Sequence, residues 1–311
     1  MITILVLLIA TRFFQPAGGS YAWIRLNIAG FSISLQPSEF AKIAIVIVMA
    51  IYLGDKKYNK WQKLIIVPFS FFAIAMILIA IYQKDLGTAL IFMLITFFCF
   101  MIPANRGLRT FQIIALLLAI IFVFLMYYLT TSSGIELLRD LNISEYQLTR
   151  FIAVENPFYD KFGKGFFDLN NSLIGFSRGE LFGVGLGKSI LKYSNISAAS
   201  TDFIMEVIVE ELGLMGFMYV FLGYIIIVYR LIRHALYIKS EKGKIIIIGV
   251  MMYFVLHFIF NVGGITCLLP LTGVPLLLIS SGGSSTVAAM MAIGIAQAII
   301  NQEKNLVRND R

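Results

Sequence analysis

The sequence predicts an all-α polytopic membrane protein of about eight transmembrane helices with one long extracytoplasmic loop, and three observations carry that prediction. The 311 residues are 59% hydrophobic and only 14% charged, against roughly 45–50% and about 25% in soluble chains. Apolar runs near the ~20 residues that cross a bilayer recur along the chain. Most of the basic residues fall in short segments between those runs. Twenty-seven Phe and a mean hydropathy of +0.88 could not be hidden inside a domain this small without exposing very large apolar surfaces, so a soluble enzyme is excluded. The net charge of +8 does not indicate nucleic acid, because no basic groove with interleaved aromatics accompanies it.

The first run, near 1–14, ends in Thr11-Arg12-Phe13 and not in a small-residue cleavage site, which makes it a transmembrane helix and not a signal peptide. A second span is expected over 39–54, started by Pro37 at the first helical position. Spans over 64–83, 86–103 and 110–129 follow, then the loop 130–203, then spans over 204–229, 244–262 and 284–301. The apolar stretch from Ile265 to Ile279 is broken by Pro270, Gly273 and Pro275 and is expected to dip into the membrane against protein without crossing it. Residues 1–311 form a single integral membrane domain in this reading. Cys99 and Cys267 lie in apolar surroundings and read as buried thiols.

Orientation follows from the basic residues. With a cytoplasmic N-terminus, fourteen Lys and Arg lie on cytoplasmic segments and four (Arg12, Arg25, Lys42, Lys84) on short outer connections, so both termini are expected in the cytoplasm. The other seven lie in 130–203 together with eight acids, and long loops do not obey the charge rule. A loop of this length is usually functional. It includes the glycine-rich stretch Ser172 to Ser189.

Ionisable groups at the edges of spans are costly unless paired or facing water, and so mark candidate functional positions. In Gln36-Pro37-Ser38-Glu39-Phe40-Ala41-Lys42, Glu39 and Lys42 stand three apart on one helical face; the pair reads either as a charge-paired helix start or as the ordered mouth of a catalytic site. Asp85, in Gln83-Lys84-Asp85-Leu86-Gly87-Thr88, can cap the following helix. Asp202, Glu206 and Glu210 repeat every four residues, a carboxylate stripe that needs a raised pKa, a cation or a basic neighbour. Asp202 is then either a candidate general base or a solvated helix start favoured by the helix dipole. His257 reads as a hydrogen-bonded core histidine, and no spacing suggests a transition-metal site.

Five motifs in order, QPSEFAK (36–42), QKDLGTA (83–89), SLIGFSRGELFGVGLGKS (172–189), TDFIMEVIVEELGLMG (201–216) and NVGGITCLLPLTGVPLLLISSGGSS (261–285), resemble the SEDS family of RodA and FtsW proteins over about 23–300. Ser177 to Leu181 leans toward the division-type FtsW branch. The resemblance implies a ten-span helical bundle, of which this chain starts at the third span. It also implies peptidoglycan glycosyltransfer, the polymerisation of lipid II at the outer face of the bacterial cell membrane, and a class B penicillin-binding protein as partner among other division or elongation membrane proteins. Asp202 matches the family's proposed catalytic residue, and Glu39 and Lys42 match its QPSE motif. The chain departs from the family at Ala22, Lys84, 197–200, Glu206 and Ser281; at Lys84 the family has proline.

Glycan growth needs a carboxylate to accept the acceptor hydroxyl's proton and cations to stabilise the leaving diphosphate. Asp202 is assigned the first task. Lys42, held by Glu39, together with Arg178, Lys188 and Lys192, is assigned the second, and Asp85 and Ser284 complete the substrate-binding set. A divalent cation, Mg or Mn, between Asp202 and the diphosphate agrees with the charge balance but is not written in the sequence. Two rival classes remain: a lipid II flippase, disfavoured by span centres nearly free of charge, and a non-catalytic scaffold of the cell-wall synthesis complex.

Overall fold

Helices stand at all eight positions where the sequence places spans. The structure, a computed structural model, describes residues 1–16, 20–28, 31–54, 61–141, 145–158, 164–190 and 201–309. In chain order the helices are α1 (Ile2–Ala10), α2 (Pro37–Leu53), α3 (Trp61–Ile77), α4 (Leu86–Met101), α5 (Arg109–Leu129), α6 (Ser132–Asp140), α7 (Glu145–Glu155), α8 (Lys164–Gly179), α9 (Ile204–Tyr237), α10 (Glu241–Ile265) and α11 (Gly283–Asn309). Five segments among the described residues are long and apolar enough to cross a membrane: Leu64–Tyr82, Arg106–Leu129, Ile204–Tyr237, Glu241–Ile265 and Gly283–Asn305. The other three expected spans are shorter. α1 ends in a 3-10 turn over Thr11–Phe13, and α2 and α4 have 17 and 16 residues, below the ~20 of a full span.

Three elements differ from the sequence reading. β1 (Ile24–Ile28) and β2 (Phe31–Leu35) form an antiparallel hairpin in which Ile24 pairs with Leu35 and Ile28 with Phe31. The loop 130–203 folds locally into α6, α7 and α8. α9 begins at Ile204, so Asp202 lies in the turn before the helix and not on a helical stripe with Glu206 and Glu210.

The chain divides into two compact units, Met1–Gln112 with Ile225–Leu256 and Gly282–Arg311, and Ile113–Tyr224 with His257–Ser281. In the first, α2 packs against α4, α3, α11 and α1. Ile45, Val46, Met49, Ile91, Phe92 and Ile95 are buried at its centre, and the Phe72 and Phe92 rings stack at 5.7 Å. Gly249 lets α10 close onto this core, since a Cβ there would lie 2.5 Å from Val46 Cγ1 and 2.9 Å from Cys99 Sγ. Small residues permit such approach between membrane helices. Gln83 donates to Leu8 O and Thr11 Oγ1, tying the end of α1 to the turn before α4.

In the second unit the dominant feature is a break in α9. Gly213 has φ 68° and ψ −162°, so the helical hydrogen-bond ladder is interrupted there. The glycine-rich loop after α8 fills the gap: Leu214 N donates to Glu180 O, Val184 N to Glu210 O and Gly185 N to Glu211 O, at 2.9, 2.9 and 3.1 Å. Backbone groups freed by a helix break and kept from water need such partners.

Candidate functional site

Two polar clusters are built from the sequence motifs, one in each unit. In the first unit Pro37 opens α2 after the extended residue Gln36, which brings Glu39 and Lys42 onto one inward face. Lys42 Nζ lies 2.7 Å from Glu39 Oε1, with both side chains essentially inaccessible. The second carboxylate oxygen accepts from the Tyr253 hydroxyl at 2.8 Å, and the ammonium stands 5.4 Å from the centre of the Tyr253 ring. A buried ion pair needs further hydrogen bonds to offset desolvation, and Tyr253 supplies one. Tyr253 was not singled out from the sequence, where it is a lone tyrosine in an apolar run.

Asp85 caps α4 as expected, accepting from Thr88 N at 3.0 Å and from Thr88 Oγ1 at 2.8 Å. Gln36 Nε2 donates to its second oxygen at 3.2 Å. Burial pushes the Asp85 carboxyl above the ordinary range, and the Thr88 hydrogen bonds and the Lys42 charge pull it back. Ser284, at the start of α11, accepts from Gln36 N and donates to Ser34 O, both at 3.0 Å. In this arrangement Ser284 is a buried tie between α11 and the entry to α2. In the first unit Gln36 thus joins Asp85 and Ser284, and the Lys42 and Glu39 charges act on Asp85.

In the second unit Asp202 is half-buried in the turn before α9, with its Oδ2 3.4 Å from the Cβ position of Gly273. Asn261 on α10 donates to Asp202 O and Val274 O, both at 2.8 Å. Ser280 donates to Thr201 O at 2.6 Å. The stretch 266–282 is irregular as expected, and side chains satisfy its backbone: Tyr224 donates to Leu277 O at 2.6 Å, Ser280 Oγ accepts from Leu276 N at 2.8 Å, and His257 Nδ1 lies 3.0 Å from Pro275 O. His257 is therefore a buried core histidine, in agreement with the sequence reading.

The other two acids of the expected stripe hold the glycine-rich segment in place. Glu210 lies 3.0 Å from Arg178 and accepts from Ser189 Oγ and Ile190 N, while Glu206 accepts from Ser172. The need for a basic neighbour is met by Arg178, which is thereby engaged with Glu210 and partly exposed. Lys188 is exposed. Lys192, and the departures at 197–200, lie outside the described residues. Among the described residues no group of three or more His, Cys, Asp or Glu is placed to hold a metal ion.

Long apolar helices enclosing a buried ion pair, with a carboxylate turn braced by irregular backbone, define a multi-pass α-helical membrane protein. The profile of the FtsW/RodA/SpoVE family, described as a cell cycle protein, matches residues 1–305, and the chain belongs to that family. It is 31% identical to the probable peptidoglycan glycosyltransferase FtsW of Bacillus subtilis (strain 168), covering 95% of this chain and 70% of that protein. It is also 31% identical to stage V sporulation protein E of the same organism, over 94% of this chain and 74% of that one. Among solved structures, a chain of a peptidoglycan synthase complex that coordinates polymerisation and crosslinking aligns with TM-score 0.70 and 21% identity, over 97% of this chain and 79% of that one. RodA of Thermus thermophilus aligns with TM-score 0.59 and 19% identity, over 97% and 76%. The fold is the one those structures share.

Proposed function

We propose that this chain is a peptidoglycan glycosyltransferase that polymerises lipid II at the outer face of the bacterial cell membrane, with Asp202 as general base. The observation that carries the reading is the mounting of Asp202: a half-buried residue whose flanking carbonyls are both hydrogen-bonded to buried side chains. A base must be held within hydrogen-bond reach of the proton it takes. Asp202 accepts the proton of the acceptor sugar's 4-hydroxyl as that oxygen attacks the anomeric carbon of the lipid-linked donor and the C–O bond to the diphosphate breaks. Lys188 is exposed and, with Lys192, supplies positive charge toward the leaving diphosphate. Lys42, buried against Glu39, orders the start of α2. A divalent cation, if one binds there, would be held by Asp202 and would supply positive charge toward the leaving diphosphate.

The orientation with both termini cytoplasmic follows from the basic-residue count and puts Asp202 on the side where lipid-linked substrate is consumed. A single-span class B penicillin-binding protein is the proposed partner, supported by the FtsW names of the relatives and by the crosslinking complex in which the structural neighbour works. The test is reconstitution of the full chain with that partner in proteoliposomes supplied with labelled lipid II. Glycan ladders on a denaturing gel are expected. Translocation of lipid II across the bilayer without polymer would establish the flippase class instead, and neither activity would leave the scaffold class.

A further inference from the structure

We propose that Asn261 is a positioning residue for the Asp202 carboxylate, holding the carbonyl of Asp202 to the irregular stretch 266–282 so that the base meets its proton in one orientation; the proposal rests on the glycosyltransferase reading above. The side-chain amide of Asn261 has two N–H donors, and both are engaged, one by Asp202 O and one by Val274 O, each at 2.8 Å. Its Oδ1 is buried with no hydrogen-bond partner among the described residues. An amide whose acceptor goes unused while both donors are filled is present for its donors. Neither Asp nor Leu could replace it.

The second tether is Ser280, which donates to Thr201 O at 2.6 Å. The peptide units on both sides of the Asp202 Cα are thus anchored, so φ and ψ of Asp202 are held. The anchor itself is stiff. Gly273 has φ +66° where the Asp202 carboxylate passes, and Leu278 takes φ 67°, a conformation a bulky residue keeps only when its surroundings impose it. Hydrogen bonds from Tyr224 and from Leu276 N to Ser280 Oγ impose it here. Buried Asn261 joins the carboxylate turn to that braced backbone.

The experiment compares Asn261→Ser, alone and combined with Asp202→Asn, in the full chain with its partner. Hydrogen exchange at amides in 203–206 should rise about tenfold in Asn261→Ser. The kcat for glycan formation should fall about tenfold or more, with KM for lipid II changed less than about threefold. In the Asp202→Asn background the same substitution should cause no further loss, because a residue acting through Asp202 has nothing left to position. An equal further loss there, or unchanged exchange at 203–206, overturns the proposal. If Asn261→Ser fails to fold, Ser280→Ala removes the other tether and is read against the same expectations. If the unmutated chain makes no glycan, the glycosyltransferase reading falls and the positioning role falls with it, whereas unchanged exchange in a polymerising enzyme removes the positioning role alone.

Discussion

Glu39 and Lys42 meet at 2.7 Å out of reach of solvent, and removing one partner leaves a buried charge unpaired. Lys42→Ala should therefore cost about 3–5 kcal/mol, far above the roughly 0–1 kcal/mol of an exposed pair. Tyr253→Phe, which deletes one hydrogen bond to the carboxylate, should cost about 1.5–3 kcal/mol. Thermal unfolding in detergent measures both, and a Lys42→Ala variant as stable as the parent would reduce the pair to a surface feature. Lys84 offers a separate check. It adopts φ 58°, which proline cannot, although the family resemblance places proline there. Lys84→Pro should destabilise by several kcal/mol, and Lys84→Gly should be neutral or stabilising by about 1 kcal/mol. Equal stability of the two variants would mean that the turn is not left-handed.

The ion pair and the Asp85 cap were legible because residues three apart on a helix meet whatever the fold does. Tyr253 and Asn261 were not. Tyr253 reaches Glu39 across 214 positions and Asn261 reaches Asp202 across 59, and no local pattern in a single sequence encodes such a meeting. The partners of Arg178 and Ser284 were hidden for the same reason, since Glu210 and Gln36 come from other elements.

Among elements, the interlock between the broken α9 and the loop after α8 explains the glycine spacing of that motif. A Cβ on Gly213 would lie 2.4 Å from the backbone carbon of Leu181, and one on Gly183 would lie 2.2 Å from Glu211 O. Both positions also have positive φ. Gly187 has φ +75° but nothing within 4 Å of its Cβ position. Gly213→Ala and Gly183→Ala should release the loop and expose 179–190 to limited proteolysis, while Gly187→Ala should cost only about 1–3 kcal/mol of backbone strain. Equal proteolysis of all three variants would contradict the interlock. The long spans were legible from hydropathy and length. The hairpin was missed although a signal for it was present, since Ile24, Leu26 and Ile28 alternate with Arg25 and Asn27, and Phe31, Ile33 and Leu35 with Ser32 and Ser34, the period of a strand. Helices α6 to α8 were not legible, because short amphipathic helices owe their stability to tertiary packing more than to local propensity.

At the scale of the whole molecule, family membership and the run of apolar helices make the chain a multi-pass membrane protein, and orientation decides which lipid-linked pool Asp202 can meet. Membrane-impermeant thiol labelling of single cysteines introduced at Glu136 and Lys239 should modify the first from outside and the second only after permeabilisation; the reverse pattern would turn the proposed site toward the cytoplasm. The central claim is that Asp202 takes the proton. Asp202→Asn keeps the size of the side chain and the main-chain tethers to Asn261 and Ser280, but removes the basic oxygen. The decisive measurement is glycan yield from lipid II by the Asp202→Asn chain bound to the proposed transpeptidase partner, normalised to folded complex. The account predicts normal folding and partner binding with polymer reduced on the order of 10²-fold or more; polymer near the parent level from the Asn variant would contradict it and move the proton transfer to another group.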